Sequence, residues 1–317
     1  MINNLISSNF RNKHILSVEQ FDLASIKKLF AETSRMRKLV KAKSGSNKLQ
    51  HKIMTALFYE PSSRTFSSHI SAMQRLGGGV IPIHGIDNSS VKKGETLEDT
   101  VRVFGSYSDV IVIRHPETGS VARAAQISQV PVINAGDGAG EHPTQALLDL
   151  YTISNHFSLE KKVTIAMVGD LKYGRTVHSL SKLLSLFPKI NIIYVSPATL
   201  KVPRMILDYI KKTKISFEEI ADFDEAISRA DVLYMTRVQK ERFENLSSYN
   251  RVKNSYILDI KRLEKAKKKM IIMHPLPRIN EITSDVDNDP RAVYFTETVA
   301  NGMYLRMALL RLILTKR

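Results

Sequence analysis

Short apolar runs alternate with longer segments of mixed polar and apolar residues along the whole chain. In the first half, four apolar runs predict buried strands, at residues 53–59, 79–83, 110–113 and 130–134. Apolar residues near helical spacing predict a helix over residues 18–41, and further helices are predicted up to about Leu76 and over residues 97–106. The first half is therefore predicted to consist of strands that alternate with helices.

The second half shows the same rhythm. Strands are predicted at residues 163–168, 190–195, 232–235 and 270–273, with a helix at about 176–187. The strongly apolar stretch 303–314 is predicted to be a core helix. Because strands that alternate with helices form parallel sheets covered on both faces, we predict an α/β fold with two domains, each a mainly parallel sheet flanked by helices.

The 317 residues suit two domains of ordinary size. We place the boundary inside a linking helix, so that the first domain comprises residues 1–142 and the second comprises residues 143–299. The C-terminal helix, about residues 300–317, is expected to pack back on the first domain. No run of about 18 or more apolar residues occurs, and the N-terminus lacks the features of a signal peptide, so we expect no membrane span.

Composition excludes several kinds of chemistry. The chain has no cysteine, which excludes disulfides, thiolate zinc sites and cysteine nucleophiles and is compatible with a cytoplasmic location. The net charge of +16 can indicate nucleic acid, a membrane surface or anionic small molecules. Basic runs at 38–52, 201–214 and 261–269 are interpreted as solvated faces, the last on a helix. No tryptophan occurs and no aromatic residues interleave with these runs, so we expect no nucleic-acid partner.

The segment Ser62-Ser63-Arg64-Thr65 lies where a strand is predicted to give way to a helix. A helix start presents unpaired backbone N–H groups and the positive end of the helix dipole, and hydroxyls with an arginine there suit a phosphate. The alternative is a simple helix cap, which needs only one hydroxyl.

Three other segments carry candidate chemistry in the first half. The polar segment 88–96 contains a Lys-Gly pair and is either a surface loop or a mobile functional loop before a helix. Arg114 ends a predicted strand, where α/β proteins bind ligands, although it could equally be a surface arginine. The glycine-rich segment 134–145 has the wrong spacing for dinucleotide binding and continues into His142-Pro143-Thr144-Gln145.

In the second half, two arginines follow predicted strands: Arg175 in Gly169-Asp170-Leu171-Lys172-Tyr173-Gly174-Arg175, and Arg237 in Met235-Thr236-Arg237-Val238-Gln239. Each arginine can bind a carboxylate through paired hydrogen bonds, so the two together suit a dicarboxylate. Without further context both could be surface residues.

These segments, together with His274-Pro275-Leu276-Pro277-Arg278, resemble in order and spacing the motifs of the aspartate/ornithine carbamoyltransferase superfamily, and specifically its aspartate-using catalytic chains. The resemblance covers nearly the whole chain. One departure is Ser63, where the pattern usually has threonine or glycine. The segment Lys92-Lys93-Gly94-Glu95 is absent from ornithine enzymes, which also carry a cysteine in the turn after His274.

The resemblance implies metal-independent transfer of a carbamoyl group from carbamoyl phosphate to L-aspartate, an early step of pyrimidine biosynthesis, in a cleft between the domains. The first domain would bind carbamoyl phosphate and the second aspartate. The implied carbamoyl phosphate site comprises Ser62, Ser63, Arg64, Thr65, Ser89, Lys93, Arg114, His142, Gln145, Leu276 and Pro277. The implied aspartate site comprises Lys93, Arg175, Arg237, Gln239 and Leu276. Arg64, Thr65, Lys93, Arg114 and His142 would be catalytic.

The resemblance also implies a homotrimer in which Ser89 and Lys93 reach the active site of a neighbouring subunit. No cofactor is implied, and regulatory chains are possible partners. The alternatives are a carbamoyltransferase for ornithine or another amine, and a non-catalytic basic protein that binds phosphate or nucleic acid.

Overall fold

The computed structural model describes residues 5–85, 90–240, 243 and 245–315. The chain divides into two compact units. The first unit comprises the chain up to Leu148 together with the segment from Ala300 onward, and the second comprises Asp149–Val299. The division falls inside a helix, Pro143–His156.

The first unit is built on a parallel four-stranded sheet. Its strands are β1 (Ile53–Phe58), β2 (Gly79–His84), β3 (Val110–His115) and β4 (Val132–Asp137), in the order β2-β1-β3-β4. The helices of this part of the chain are α1 (Leu23–Lys43), α2 (Ser63–Arg75), α3 (Leu97–Tyr107), α4 (Ser120–Ile127) and α5 (Pro143–His156). The central strands β1 and β3 are almost entirely buried, as expected for a sheet covered on both faces.

The second unit is built on a parallel five-stranded sheet. Its strands are β5 (Val163–Val168), β6 (Ile190–Val195), β7 (Ser216–Ile220), β8 (Val232–Met235) and β9 (Ile271–Met273), in the order β7-β6-β5-β8-β9. The helices are α6 (Arg175–Leu184), α7 (Arg204–Lys211), α8 (Phe223–Arg229), α9 (Leu246–Val252) and α10 (Ile260–Leu263). The predicted class of two α/β units, each with a parallel sheet flanked by helices, is confirmed.

The C-terminal helix α11 (Val299–Leu314) follows a π-helical turn, Tyr294–Thr298. Within the first unit, Arg311 forms an ion pair with Glu32 of α1, and Arg306 donates a hydrogen bond to the hydroxyl of Thr144 at 3.3 Å. Both Arg306 and Glu32 are buried, so these are interior contacts. None of the helices in the described part of the chain is long and apolar enough to cross a membrane.

The N-terminal helix begins later than the predicted residue 18. Ser17 caps a short 3₁₀ turn, Val18–Gln20, and the chain is extended at Asp22. The carboxylate of Asp22 then accepts a hydrogen bond from the backbone N–H of Ser25 at 2.7 Å, while the Ser25 hydroxyl accepts one from the N–H of Asp22 at 2.9 Å. This reciprocal cap starts α1 at Leu23.

The basic run at residues 261–269 is not one helical face, as had been predicted. Helix α10 ends at Leu263, and the rest of the run is a turn that leads into β9. Arg262 and Lys265 both pair with Asp224, and Lys267 pairs with Asp231 at 2.8 Å. Part of the positive charge of this run is therefore neutralised locally.

Candidate active site

The ends of β1 and β3 bring two of the predicted segments to one edge of the first sheet. These strands are parallel neighbours, with Phe58 opposite Arg114. The backbone N–H of Tyr59 donates to the carbonyl of Arg114 at 2.9 Å. Because the carboxyl ends of parallel strands share one edge, Arg114 and the segment that follows β1 lie on the side where α/β proteins bind ligands.

The start of α2 has the properties of an anion site rather than of a capped helix end. Ser62 occupies the cap position, but its side chain makes no capping hydrogen bond. The simple cap that the sequence left open as an alternative is therefore not formed. Ser63 and Arg64 are exposed and Thr65 is buried. The first backbone N–H groups of this 13-residue helix point towards its N-terminal end, where an anion can accept hydrogen bonds from them.

A buried histidine supports this first turn from inside. The Nδ1–H of His69 donates to the carbonyl of Thr65 at 2.8 Å. Burial, reinforced by the nearby positive charge of Arg306, holds the pKa of His69 well below its usual value. His69 is therefore neutral and acts as a hydrogen-bond donor that fixes the backbone at Thr65.

Arg114 is held by two acceptors at the edge of the sheet. Its Nη1 donates to the carbonyl of Ala135 at 3.3 Å, and its Nη2 lies 3.3 Å from Oε2 of Glu60. The Arg114 side chain is only 13% exposed, so the guanidinium has little freedom to turn. This arrangement fixes the guanidinium at the carboxyl edge of the sheet, beside the carboxylate of Glu60.

The loop after β4 is organised by the carboxylate of Asp137. This carboxylate accepts hydrogen bonds from the backbone N–H groups of Gly119 and Glu141, each at 2.9 Å, and from the side-chain amide of Asn134 at 3.3 Å. Gly138 has a φ of +50°, and a Cβ there would lie 2.5 Å from the carbonyl oxygen of Pro116. Glycine at this position therefore allows a tight local turn that a larger residue would not fit.

This turn delivers His142 to the start of α5. His142 is buried, and its carbonyl accepts a hydrogen bond from the backbone N–H of Gln145 at 3.0 Å. Gln145 is half-buried in the first turn of the same helix. His142 and Gln145 therefore occupy one helix start in the same unit as Arg64 and Arg114.

The predicted lysine loop is only partly described. Ser89 lies outside the described residues. Lys93 is exposed in a short 3₁₀ turn, Ser90–Lys93, and makes no hydrogen bond or ion pair with any residue that the structure describes. Thr96 caps α3 by accepting a hydrogen bond from the N–H of Asp99 at 3.1 Å. Contacts within the described chain therefore do not join Lys93 to Arg64, Arg114 or His142.

In the second unit, the two arginine segments meet at the carboxyl edge of β5 and β8. These strands are neighbours, with Val168 opposite Met235. Gly169 has a φ of +114°, and a Cβ there would lie 2.2 Å from the carbonyl oxygen of Thr236. Only glycine permits this close approach, so the chain after β5 passes directly beside the chain after β8.

Asp170 joins the two segments by hydrogen bonds. Its carboxylate accepts from the N–H of Tyr173 at 2.9 Å and from the N–H of Gln239 at 3.3 Å. Burial raises the pKa of Asp170, while the backbone hydrogen bonds and the charge of Arg237 act in the opposite direction. Asp170 therefore positions the segment that starts α6 at Arg175 relative to the segment that carries Arg237 and Gln239.

The last predicted segment, His274–Arg278, follows β9 in the same unit. Leu276 is half-buried and has a φ of +53°, Pro277 is exposed, and the peptide bond between them is cis. His274 is buried and hydrogen-bonded to Glu281 at 2.7 Å. Arg278 turns away to pair with Asp287.

Sequence reasoning did not single out the side chains that orient these segments. They are Glu60, His69, Asp137, Asp170, His274 and Glu281. Asp137, Asp170 and His274 lay inside segments that the sequence singled out, and Glu60 lies two residues before another. For the three carboxylates, an acidic side chain beside backbone donors was the available signal. His69 gave no such signal, because a histidine inside a helix has no distinctive pattern. Among the described residues, no group of three or more histidine, aspartate or glutamate side chains is placed to hold a metal ion.

Comparison with known proteins gives two matching family models, one for each part of the chain. Residues 13–155 match the carbamoyl-P binding domain of aspartate/ornithine carbamoyltransferase, and residues 161–313 match its Asp/Orn binding domain. The chain belongs to the aspartate/ornithine carbamoyltransferase family. The resemblance seen in the motifs is confirmed.

Similar members of this family include free-standing and fused proteins. The aspartate carbamoyltransferase catalytic subunit of Methanothrix thermoacetophila is 47% identical over 96% of this chain and 99% of its own length. Multifunctional protein pyr1-3 of Dictyostelium discoideum is 47% identical over 98% of this chain, which spans only 14% of that relative's length. Among solved structures, aspartate transcarbamoylase from Trypanosoma cruzi in complex with carbamoyl phosphate and aspartate is 44% identical to this chain. The match covers 98% of this chain and 99% of the Trypanosoma cruzi chain, with a TM-score of 0.91.

Proposed function

We propose that this carbamoyltransferase transfers the carbamoyl group of carbamoyl phosphate to the α-amino group of L-aspartate. The amine nitrogen attacks the carbonyl carbon, a C–N bond forms, and the C–O bond to phosphate breaks. The phosphate leaves with the electron pair, and the amine proton passes to the departing phosphate. The products are N-carbamoyl-L-aspartate and phosphate. The observation that carries the choice of acceptor is the pair of arginine segments held together by Asp170.

The first unit is assigned to carbamoyl phosphate. Ser62, Ser63, Arg64 and Thr65 would hold the phosphate at the start of α2. Arg114, His142 and Thr65 would polarise the carbonyl oxygen, and Gln145 would hold the carbamoyl amide. Arg114 is held by Ala135 and Glu60, and the backbone at Thr65 is held by His69. Groups fixed in this way before a substrate binds would stabilise developing negative charge without reorganising.

The second unit is assigned to aspartate. Arg175 and Arg237 would each bind one of the two carboxylates, and Gln239 would support them. The backbone carbonyls of Leu276 and Pro277 would accept hydrogen bonds from the amino and carbamoyl nitrogens. Ornithine carries a side-chain ammonium in place of the second carboxylate, and two neighbouring guanidinium groups repel it.

The substrate assignment is tested by supplying carbamoyl phosphate with either aspartate or ornithine and quantifying the carbamoylated amino acid. We expect product with aspartate and none with ornithine. Product with ornithine alone would retain the donor assignment and overturn the acceptor assignment. Absence of product with both acceptors, from folded protein, would overturn the proposed activity. Retention on immobilised nucleic acid that falls steeply with salt would then favour a non-catalytic basic binding protein.

We further propose that the active form is a homotrimer in which Lys93, with Ser89, completes the site of a neighbouring subunit. Lys93 is exposed and has no partner among the described residues, which suits a side chain whose contacts lie on another chain. The lysine would add positive charge next to the phosphate and the carbonyl oxygen.

Mixing two inactive variants tests this shared site. In a 1:1 mixture of Lys93→Ala and Arg64→Ala subunits that exchange freely, about a quarter of the sites in a cyclic trimer combine an intact Arg64 with an intact neighbouring Lys93. We therefore expect activity near that fraction of the wild-type value. A mixture of Arg64→Ala with Arg114→Ala is the matched control, because both residues belong to one subunit's site and no site is restored. If the first mixture stays as inactive as the second, the shared site is wrong.

The proposed reaction is an early step of pyrimidine biosynthesis. We place it in the cytoplasm, without a cofactor. Regulatory chains are possible partners of such a catalytic chain.

A further inference from the structure

The turn after β9 is built around one buried histidine. Strand β9 ends at Met273, and the imidazole of His274 follows with only 1% of its surface exposed. Its Nδ1 lies 2.7 Å from the backbone nitrogen of Leu276, and its Nε2 lies 2.7 Å from Oε1 of Glu281. Both ring nitrogens therefore have a partner inside the same turn.

These partners determine where the imidazole proton is. The Leu276 N–H can only donate, so Nδ1 of His274 must be the unprotonated acceptor. The proton then lies on Nε2 and is donated to Glu281. Burial lowers the pKa of His274 despite the neighbouring carboxylate, which keeps the ring neutral. Burial alone would raise the pKa of Glu281, but hydrogen bonds from His274 and from backbone amides lower it, so Glu281 stays ionised.

The carboxylate of Glu281 binds several hydrogen-bond donors of this turn. Besides His274, it accepts hydrogen bonds from the backbone N–H groups of Ile279 at 3.2 Å and Asn280 at 3.1 Å. Glu281 is itself 7% exposed. The buried carboxylate of Glu281 thus accepts hydrogen bonds from His274, Ile279 and Asn280. It is linked to Leu276 indirectly, because His274 contacts both residues.

Leu276 needs such a support. Its φ of +53° lies in the left-handed region, which is unfavourable for a residue with a Cβ. Its side chain packs against the apolar core of the second unit, and its N–H is held by His274. With the side chain and the N–H both fixed, the Cα–C bond that carries the Leu276 carbonyl is fixed as well.

We propose that His274 and Glu281 are positioning residues, which orient the Leu276 carbonyl towards the attacking amine. This inference rests on the proposed function, in which the Leu276 carbonyl accepts a hydrogen bond from the amino nitrogen of aspartate. The pair touches no substrate. His274 does not serve as a general base, because its basic nitrogen is engaged by the Leu276 N–H.

Two substitutions of His274 separate its two hydrogen bonds. The side-chain oxygen of His274→Asn takes approximately the place of Nδ1 and keeps an acceptor for the Leu276 N–H. The side-chain nitrogen of His274→Gln takes approximately the place of Nε2 and keeps a donor for Glu281. His14→Asn is the matched control, because Nδ1 of His14 likewise accepts from a backbone N–H, that of Val132, at 3.1 Å in the first unit.

We expect His274→Gln to lower kcat by about a hundredfold, because misplacing a group that orients the reacting atoms by about 1 Å costs about that factor. His274→Asn should keep kcat within about tenfold of the wild type, since the hydrogen bond to Leu276 survives. The KM for aspartate should change less than kcat. The Kd for inorganic phosphate, bound by the first unit, should be unchanged in all variants. His14→Asn should leave kcat unchanged.

Hydrogen exchange of the 274–281 peptide provides a readout that does not depend on activity. Pro275 and Pro277 have no N–H, so few amides contribute to the exchange measured for this peptide, and the Leu276 amide is one of them. Its exchange should be slow in the wild type and in His274→Asn, and fast in His274→Gln. Glu281→Gln, a milder change that keeps an acceptor, is the second variant should His274→Gln fail to fold. It should weaken the hydrogen bond that holds His274 and therefore also lower kcat.

The outcomes separate this inference from the proposed function. If the wild type carbamoylates aspartate but His274→Gln and Glu281→Gln keep wild-type kcat, or if His274→Asn and His274→Gln lose kcat equally, the positioning role is wrong and the proposed function stands. If the folded wild type carbamoylates no amine, the proposed function is wrong, and the proposed role of this turn in the reaction is wrong as well. A lower thermal midpoint with unchanged kcat would indicate a purely structural pair and would overturn the inference.

Discussion

Replacing Arg64 by alanine is expected to reduce kcat by about 10²–10³, the usual cost of removing one preorganised charge-stabilising donor. Arg64 stands in the first turn of α2, where Ser62 makes no capping hydrogen bond and the first backbone N–H groups have no partner within the helix. Negative charge grows on the phosphate as the C–O bond breaks. The lost interaction is therefore stronger in the transition state than in the bound substrate, and the loss should fall on kcat.

The control for this experiment is Arg102→Ala in the same unit. Arg102 is 62% exposed on α3 and, among the described residues, forms an ion pair only with Asp99 one turn earlier, so its removal takes away the same charge without touching the proposed site. Steady-state kinetics with carbamoyl phosphate as the varied substrate compare the two variants. If Arg64→Ala keeps the wild-type kcat, the start of α2 does not bind the phosphate of carbamoyl phosphate.

Replacing Arg237 by methionine is expected to raise the KM for aspartate by about a hundredfold. Methionine keeps much of the length and the apolar stem of arginine but loses the paired donors. Two charge-assisted hydrogen bonds at about 1.5 kcal/mol each correspond to roughly that factor. The KM for carbamoyl phosphate should change little, because that substrate is assigned to the first unit.

Arg204→Met is the matched control for the second unit. The Arg204 side chain is 92% exposed at the start of α7, where its nearest acidic partner is Asp208 at 3.8 Å. It should leave both KM values unchanged. An Arg237→Met variant whose KM for aspartate equals that of the wild type would remove Arg237 from the acceptor site and weaken the case for a dicarboxylate.

The net charge of +16 is only partly explained by these sites. Anionic substrates need a local field of positive charge, which the arginines of the proposed site and Lys93 would supply. The run at residues 261–269 is instead partly neutralised by Asp224 and Asp231.

The sequence by itself determined the alternation of strands and helices. Strands buried on both faces are mostly apolar along their length, and β5, β6 and β8 are such runs, so their bounds agree with the prediction residue for residue. Strand β7 was missed because it lies at the sheet edge, where Ser216-Phe217-Glu218-Glu219-Ile220 is only partly buried and need not be apolar. Helices α4, α7, α8 and α9 were missed because each is only seven or eight residues long, and so short an amphipathic pattern gives a weaker signal than the apolar run of a buried strand.

The sequence also located the segments that carry chemistry, because hydroxyls, arginines and a histidine after apolar runs fall at the edge where α/β proteins bind ligands. It could not supply the partners of those segments. Asp170 contacts Gln239 across 69 residues, and Glu60 contacts Arg114 because β1 and β3 happen to be neighbours. Strand order brings these atoms together, and the hydrophobic pattern that places each strand in the core does not encode which strand lies beside it. Buried carboxylates and imidazoles must find hydrogen-bond partners. Only the tertiary structure decided that Asp170 and the His274–Glu281 pair would find theirs in the backbone N–H groups of Gln239 and Leu276.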